Sequence, residues 1–212
     1  AGLWNTATGE HETTTGVLSW FLEAKKGSWV QFDAFWNVEK LPYALGIGNN
    51  QAYVPDGRYQ FAYLSVQYNT SYSSTLSAGL TSEAGQYYDG WKLSLYSSPS
   101  LTIGTGLNLT LNYNIDYVNF PERSTRFTNH IVGLKGLMTL TNKTSLSSYI
   151  QYNTAVDRIY SNFRFRYNPH EGNDFYLVYD EGLNTDLTRE IPHLPVSAGR
   201  TILLKYTYTF RF

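Results

Sequence analysis

The sequence predicts an all-β protein, an antiparallel up-and-down transmembrane β-barrel with about 11–12 strands in this chain. The 212 residues end in a strand whose alternate positions are apolar or aromatic, and similar alternating segments recur along the chain. The sequence is rich in aromatic residues, with 19 Tyr, 11 Phe and 5 Trp, yet its mean hydropathy is negative. This combination suits a barrel with an apolar outer band, aromatic girdles and a polar lumen. No apolar run reaches the roughly 18 residues of a membrane-spanning helix.

Composition excludes several classes of function. The net charge of -1 gives no electrostatic reason to expect a nucleic-acid partner. The absence of cysteine excludes disulfides, thiol catalysis and cysteine metal sites. The four histidines lack metal-ligand spacing, and the sequence contains no Gly-x-Ser-x-Gly motif. We therefore expect no cofactor, no metal and no catalytic residue, and an outer-membrane hydrolase is the least favoured function.

The last strand places Ile202, Leu204, Tyr206, Tyr208, Phe210 and Phe212 on one face. It resembles the C-terminal signal of bacterial outer-membrane barrels, which the barrel-assembly machinery recognises. Lys205, Phe210 and Phe212 match that signal, whereas Thr207 stands where glycine is usual. The resemblance implies a bacterial outer-membrane location with a periplasmic C-terminus, and the assembly machinery as a partner of the last strand.

The remaining elements follow from the same alternation. Residues 1–13 show little periodicity, so we predict an irregular segment or the tail of a preceding strand there, and a barrel over residues 14–212. Gly104 and Gly106 lie within one continuous predicted strand. The predicted strands cover residues 16–24, 30–38, 59–69, 76–80, 90–96, 101–115, 129–140, 146–153, 162–167, 175–180 and 202–212.

Connection lengths agree with this scheme, because outer-membrane barrels have short periplasmic turns and longer extracellular loops. Counting back from the C-terminus makes the connections at 39–57, 82–87, 116–125, 154–158 and 181–199 extracellular. However, these strands place the start of the first one outside the cell. Either residues 1–13 contain a further strand, or the chain is the C-terminal part of a longer barrel. The pattern favours the second explanation, with other subunits or an N-terminal part completing the barrel.

Charged residues on the predicted lumen face have two interpretations. In the favoured interpretation they pair in salt bridges that balance the buried charges of the barrel interior. In the other they line a passage and set its ion selectivity. The candidate lumen charges are Glu23, Asp33, Lys92, Lys135, Arg164, Arg166 and Lys205.

A more specific resemblance covers the last third of the chain. Residues 149–153, 161–167, 169–180 and 204–208 are similar to the C-terminal part of large outer-membrane proteins that carry an N-terminal family-9-like carbohydrate-binding domain. Tyr167 stands where tryptophan is common in that family. The resemblance implies a barrel region without the carbohydrate-binding domain, so no residue here is assigned to sugar binding.

The favoured function is therefore a porin- or transporter-like passage with a polar lumen, in contact with outer-membrane lipid and lipopolysaccharide. The alternative is a non-conducting structural barrel that anchors a carbohydrate-binding domain or a partner complex. A soluble barrel would need apolar residues inside and polar residues outside, and the eleven predicted strands with aromatic ends argue against it.

Overall fold

The computed structural model describes residues 2–4, 9, 11–71 and 75–210, and this part of the chain is built almost entirely of β-strands. A single turn of 3₁₀ helix, Pro121–Arg123, interrupts them. In the part of the chain that the structure describes, no helix is long and apolar enough to cross a membrane. The strands are β1 Gly2–Trp4, β2 His11–Glu23, β3 Trp29–Leu41, β4 Leu45–Ile47, β5 Ala52–Val54, β6 Gly57–Asn69, β7 Leu76–Ser77, β8 Gly79–Tyr87, β9 Gly90–Ser97, β10 Ser100–Ile103, β11 Leu107–Phe120, β12 Thr125–Thr141, β13 Thr144–Asn153, β14 Arg158–Tyr167, β15 Asn173–Asn184 and β16 Ser197–Tyr208.

Most strands pair with their neighbours in sequence. The main sheet has 14 strands, and its principal order is β1-β2-β3-β6-β8-β9-β11-β12-β13-β14-β15-β16. The strands β7 and β10 pair with each other, and β10 also pairs with β11. A separate two-stranded sheet consists of β4 and β5. The predicted all-β, antiparallel, up-and-down fold is thus confirmed.

The register aligns polar residues of successive strands along one face of the sheet. Asp33 of β3 lies opposite Ser65 of β6, and Ser65 lies opposite Glu83 of β8. Glu83 in turn lies opposite Ser94 of β9. Because successive side chains point to opposite faces, the residues between them form the other face. We call these the polar face and the apolar face.

The prediction of one continuous strand over residues 101–115 was wrong. The chain instead turns at Gly104, which has φ +58°, and returns as β11. In the resulting hairpin Leu101 lies opposite Leu109, and Ile103 lies opposite Leu107. The connection between Ile103 and Leu107 has an odd number of residues, so the alternation continues through the turn with unchanged parity. Periodicity alone therefore cannot distinguish this hairpin from a straight strand.

Other predicted boundaries also differ from the structure. Residues 83–86 belong to β8, and the turn falls at Tyr88, which has φ +54°. The predicted connection at 39–57 begins later, because β3 continues to Leu41, and it contains the β4–β5 hairpin. The segment 1–13 is not irregular throughout: β1 pairs with the beginning of β2, and β2 already starts at His11.

The chain divides into two compact units. The first comprises Ala1–Ser74, Ala78–Ser97 and Asn114–Asn129, and the second comprises Thr75–Ser77, Ser98–Tyr113 and His130–Phe212. The first unit contains an apolar cluster of buried residues with partly buried aromatic rings around it. Its buried members are Leu41, Ala52, Val54, Val118 and Phe120.

Candidate functional site

The apolar face carries large hydrophobic side chains that the protein leaves exposed. In the first unit they include Leu64, which is 61% exposed, and Trp91 and Leu93. In the second unit they include Leu134, Ile150 and Leu204. An exposed apolar patch that runs across many strands marks a contact surface rather than an ordinary water-facing surface.

The first unit shows that burial is inverted relative to a water-soluble sheet. In β6 the exposed Leu64 and Val66 flank Ser65, which is only 2% exposed. In β9 the exposed Leu93 and Leu95 likewise flank the buried Ser94. These segments of the first unit therefore cover their polar positions and leave their apolar ones uncovered, which is the arrangement expected of a wall in contact with lipid.

The polar face of the first unit is acidic. Asp33 is 4% exposed, and both of its carboxylate oxygens accept hydrogen bonds of 2.9 Å from the Gln31 side-chain amide. Lys92 Nζ lies 3.7 Å from Glu83 Oε2 and 3.8 Å from Asp116 Oδ1. The predicted lumen charge Lys92 is thus shared between two carboxylates, neither of which the sequence analysis had singled out.

Asp116 also anchors the neighbouring strand. Its two carboxylate oxygens accept hydrogen bonds from Ser94 Oγ at 2.5 Å and from Asn114 Nδ2 at 2.7 Å. Glu39, Glu83 and Asp116 share the polar face with the predicted Glu23 and Asp33. Among the described strand residues of the first unit, acidic side chains on the polar face therefore outnumber the basic ones, of which Lys92 is the example here.

The polar face of the second unit is basic. Lys135, Arg164, Arg166 and Lys205 all lie on it. Arg166 forms an ion pair with Asp174, with Nη2 and Oδ1 2.7 Å apart. The side chains of Lys135, Arg164 and Lys205 are solvent-exposed. Strand alternation predicted the polar-face position of these basic residues. It did not predict that of Asp174, because the predicted strand began one residue later.

A charged group interrupts the apolar face near one end of β15 and β16. The Arg200 guanidinium donates to Glu181 Oε1 over 2.6 Å, and Tyr179 donates from its hydroxyl to the same carboxylate. From Arg200 towards the C-terminus of β16, the apolar face continues from Ile202 to Tyr208 without a polar residue. At about 3.3 Å per residue this stretch is roughly 20 Å long. Glu181 and Arg200 fall in the predicted connection 181–199 or at its edge, so the strand pattern did not predict this pair.

The predicted assembly signal is only partly described. Lys205 lies on the polar face of β16, and Phe210, which follows the strand, is 72% exposed. Phe212 lies outside the described residues. The Lys205 and Phe210 positions are therefore placed, while their role as a signal stays a prediction.

The apolar cluster of the first unit lies on the polar face, where the alternation alone predicts only polar residues. Leu41 ends β3, and Val118 and Phe120 end β11, all at polar-face positions. The β4–β5 hairpin contributes Ala52 and the fully buried Val54. The hairpin thus folds back onto the polar face and covers that end of it.

Comparisons with known proteins returned one structural likeness. No protein-family model matches the chain, and no curated protein sequence matches it. A solved structure of the porin NanC has a TM-score of 0.41 and 10% sequence identity, over 94% of this chain and 94% of that chain. At this degree of similarity, what the chain does has to be argued from its own residues. No group of three or more His, Asp or Glu residues within the described ranges could hold a metal ion.

Proposed function

We propose that the chain is a non-enzymatic, integral outer-membrane β-barrel protein that provides a porin- or transporter-like polar passage. The observation that carries this proposal is the inverted burial, in which polar-face residues such as Ser65 are covered while Leu64 and its apolar-face neighbours are exposed. Water disfavours such a surface by about 25 cal/mol for each Å² of apolar area, whereas lipid removes this cost.

The dimensions of the apolar face support the same proposal. The stretch from Ile202 to Tyr208, roughly 20 Å along the strand, is close to the apolar band of outer-membrane barrels, about 25 Å tall. The pair Glu181 and Arg200 would then lie at the interface, where charges cost little. Tyr206 and Tyr208 would lie near the opposite interface, as aromatic girdles do.

Membrane extraction tests the location. Expressed with an outer-membrane leader, the chain is expected to resist carbonate and high salt and to need detergent for release. Release by carbonate alone, from cells in which a known outer-membrane barrel stays in the pellet, would contradict the membrane proposal.

Planar-bilayer recording tests the passage. The purified chain is expected to give stepwise conductance, because the polar faces carry exposed charged groups such as Arg164 and Lys205. A chain that inserts but gives no steps would support the second candidate below.

The second candidate is a non-conducting barrel that anchors a partner. One observation favours it: the β4–β5 hairpin and Phe120 build a buried apolar cluster on the polar face, which would obstruct water there. Deleting residues 43–53 and joining the ends with glycine and serine distinguishes the two candidates. A large rise in conductance on deletion indicates a closed native barrel, whereas an unchanged conductance indicates a native passage that bypasses the cluster. The resemblance to outer-membrane proteins with a carbohydrate-binding domain suggests one partner for such an anchor, and it stays a prediction.

A further inference from the structure

The first unit contains a cavity of about 250 Å³ beside the apolar cluster. Its lining combines carboxylates, carboxamides and aromatic rings from β3, β6, β8 and the turn at Tyr88 with the ammonium group of Lys92 from β9. Ligand sites of this size commonly combine apolar walls with a few convergent polar groups. The principal lining residues are Asn37, Glu39, Phe61, Glu83, Tyr87 and Tyr88.

The cavity exists because β6 and β8 separate at this end. Their register runs as far as Tyr63 opposite Gly85, and a Cβ at Gly85 would lie 2.5 Å from Tyr63 Cα. Beyond this contact the Ala62 amide donates to the Gln86 side chain, with the Ala62 nitrogen 3.1 Å from Gln86 Oε1. A side chain thus replaces main-chain pairing, which satisfies the amide while the strands diverge.

An aromatic wall closes one side of the cavity. Tyr88, held at φ +54°, packs its ring 5.1 Å from that of Phe61 and 4.9 Å from that of Tyr87. Its hydroxyl donates to Glu39 Oε2 over 3.2 Å, which fixes the ring across β6. A bulky residue at positive φ costs free energy, and such backbone outliers cluster at functional sites.

The charges in the cavity favour a cationic occupant. Glu39 and Glu83 both line it, and Lys92 is the basic residue among its lining groups. The Lys92 ammonium lies 5.6 Å from the Tyr87 ring centroid and 3.7 Å from Glu83 Oε2. The protein's own ammonium group therefore already occupies the combination of ring and carboxylate that a ligand ammonium would use.

We propose that this cavity binds a small organic cation, whose ammonium group packs against the rings of Tyr87 and Tyr88 and is attracted by the lining carboxylates of Glu39 and Glu83. Aromatic rings attract alkylammonium groups through their negative faces, and nearby carboxylates add a charge interaction. The proposal goes beyond the proposed passage, because it requires binding and not conduction.

Binding of choline to the full chain in detergent tests the proposal, with 3,3-dimethylbutan-1-ol as an uncharged ligand of the same shape. Calorimetry is expected to show saturable binding of choline and binding of the alcohol weaker by about tenfold or more. Glu39→Gln and Glu83→Gln are each expected to weaken choline binding by about tenfold, while Lys92→Gln strengthens it, because a competing ammonium is removed.

Matched variants keep the test independent of folding. Glu23→Gln removes a carboxylate from the same face but outside the cavity and is expected to leave choline binding unchanged. Tyr88→Phe keeps the ring and is expected to retain most of the affinity, whereas Tyr88→Ala is expected to lose it. Equal affinity for choline and the alcohol, or the absence of saturable choline binding to folded wild-type protein, would overturn the proposal. Neither result depends on whether the chain conducts ions.

Discussion

The two units share one strand pattern but differ in what covers their polar faces. The first unit has an acidic polar face, closed at one end by the β4–β5 hairpin around Val54 and Phe120. The second unit has a basic polar face, and its large apolar residue Leu203 is 50% exposed there. The apolar faces of the two units are alike, with Leu64 and Ile150 both exposed.

This difference separates two kinds of constraint. The apolar face has to match its surroundings at every strand, so it repeats along the chain. The polar face only needs partners for its polar and charged groups, and different residues supply these partners in the two units. The apolar face therefore indicates where the protein resides, and the polar faces indicate what it does there.

The largest expected effect comes from the apolar cluster of the first unit. Phe120→Ala removes a ring that is fully buried, and we expect it to lower the free energy of unfolding by about 3–5 kcal/mol. The matched change on the polar face of the second unit is Leu203→Ala, which we expect to cost under about 1 kcal/mol because the side chain is half exposed. Urea unfolding in lipid vesicles, followed by tryptophan fluorescence, measures both. Equal losses would remove the contrast between the units.

The next effect tests what the units have in common. Leu64→Arg in the first unit and Ile150→Arg in the second each put a charge on the apolar face. We expect each to destabilise the protein in vesicles by about 2–4 kcal/mol if the site lies near the bilayer midplane. The controls Gln67→Arg and Gln151→Arg put the same charge on the polar faces, and we expect only a small loss from them. Water on both faces of the sheet would instead make all four variants nearly neutral.

Strand alternation predicted the fold and the two faces. Successive side chains of a strand point to opposite faces, so two faces with different surroundings produce a sequence that alternates with period two. It placed Arg164, Arg166 and Lys205 on the polar face for the same reason. It did not predict the hairpin turn at Gly104, since an odd-length turn preserves the period.

The cavity and the cluster were not predictable in this way. Tyr88 reaches Glu39 across β6. Phe120 packs in the same cluster as Val54, which belongs to the separate β4–β5 hairpin. These contacts join residues far apart in sequence, and nothing in the local pattern of either residue specifies the partner. One feature of the sequence does indicate the cavity. Gln86 is a polar residue on the apolar face of β8, at the point where β6 and β8 separate.

A smaller effect concerns the opposite charges of the two polar faces. Arg164→Glu and Lys205→Glu in the second unit should each shift the conductance towards cations, by a factor on the order of two to five in permeability ratio. Glu83→Lys in the first unit should shift it towards anions. Reversal potentials in a salt gradient measure these changes. If only the second-unit variants change the permeability ratio, the acidic face of the first unit does not border the proposed passage.

The smallest effect we expect is a dependence on alkaline pH that is specific to the first unit. Burial of the Tyr88 phenol, and secondarily the charge of Glu39, raises the pKa of Tyr88 in the turn between β8 and β9. The unfolded chain then releases this proton at a lower pH, near 10, than the folded protein does. The stabilisation is complete below about pH 10 and is lost as the pH rises through the folded pKa. Tyr88→Phe cannot release the proton, so the difference in unfolding free energy between wild type and this variant should change above about pH 10 and stay constant between about pH 7 and 9. A constant difference over the whole range would mean that Tyr88 is not held in the buried contact with Glu39.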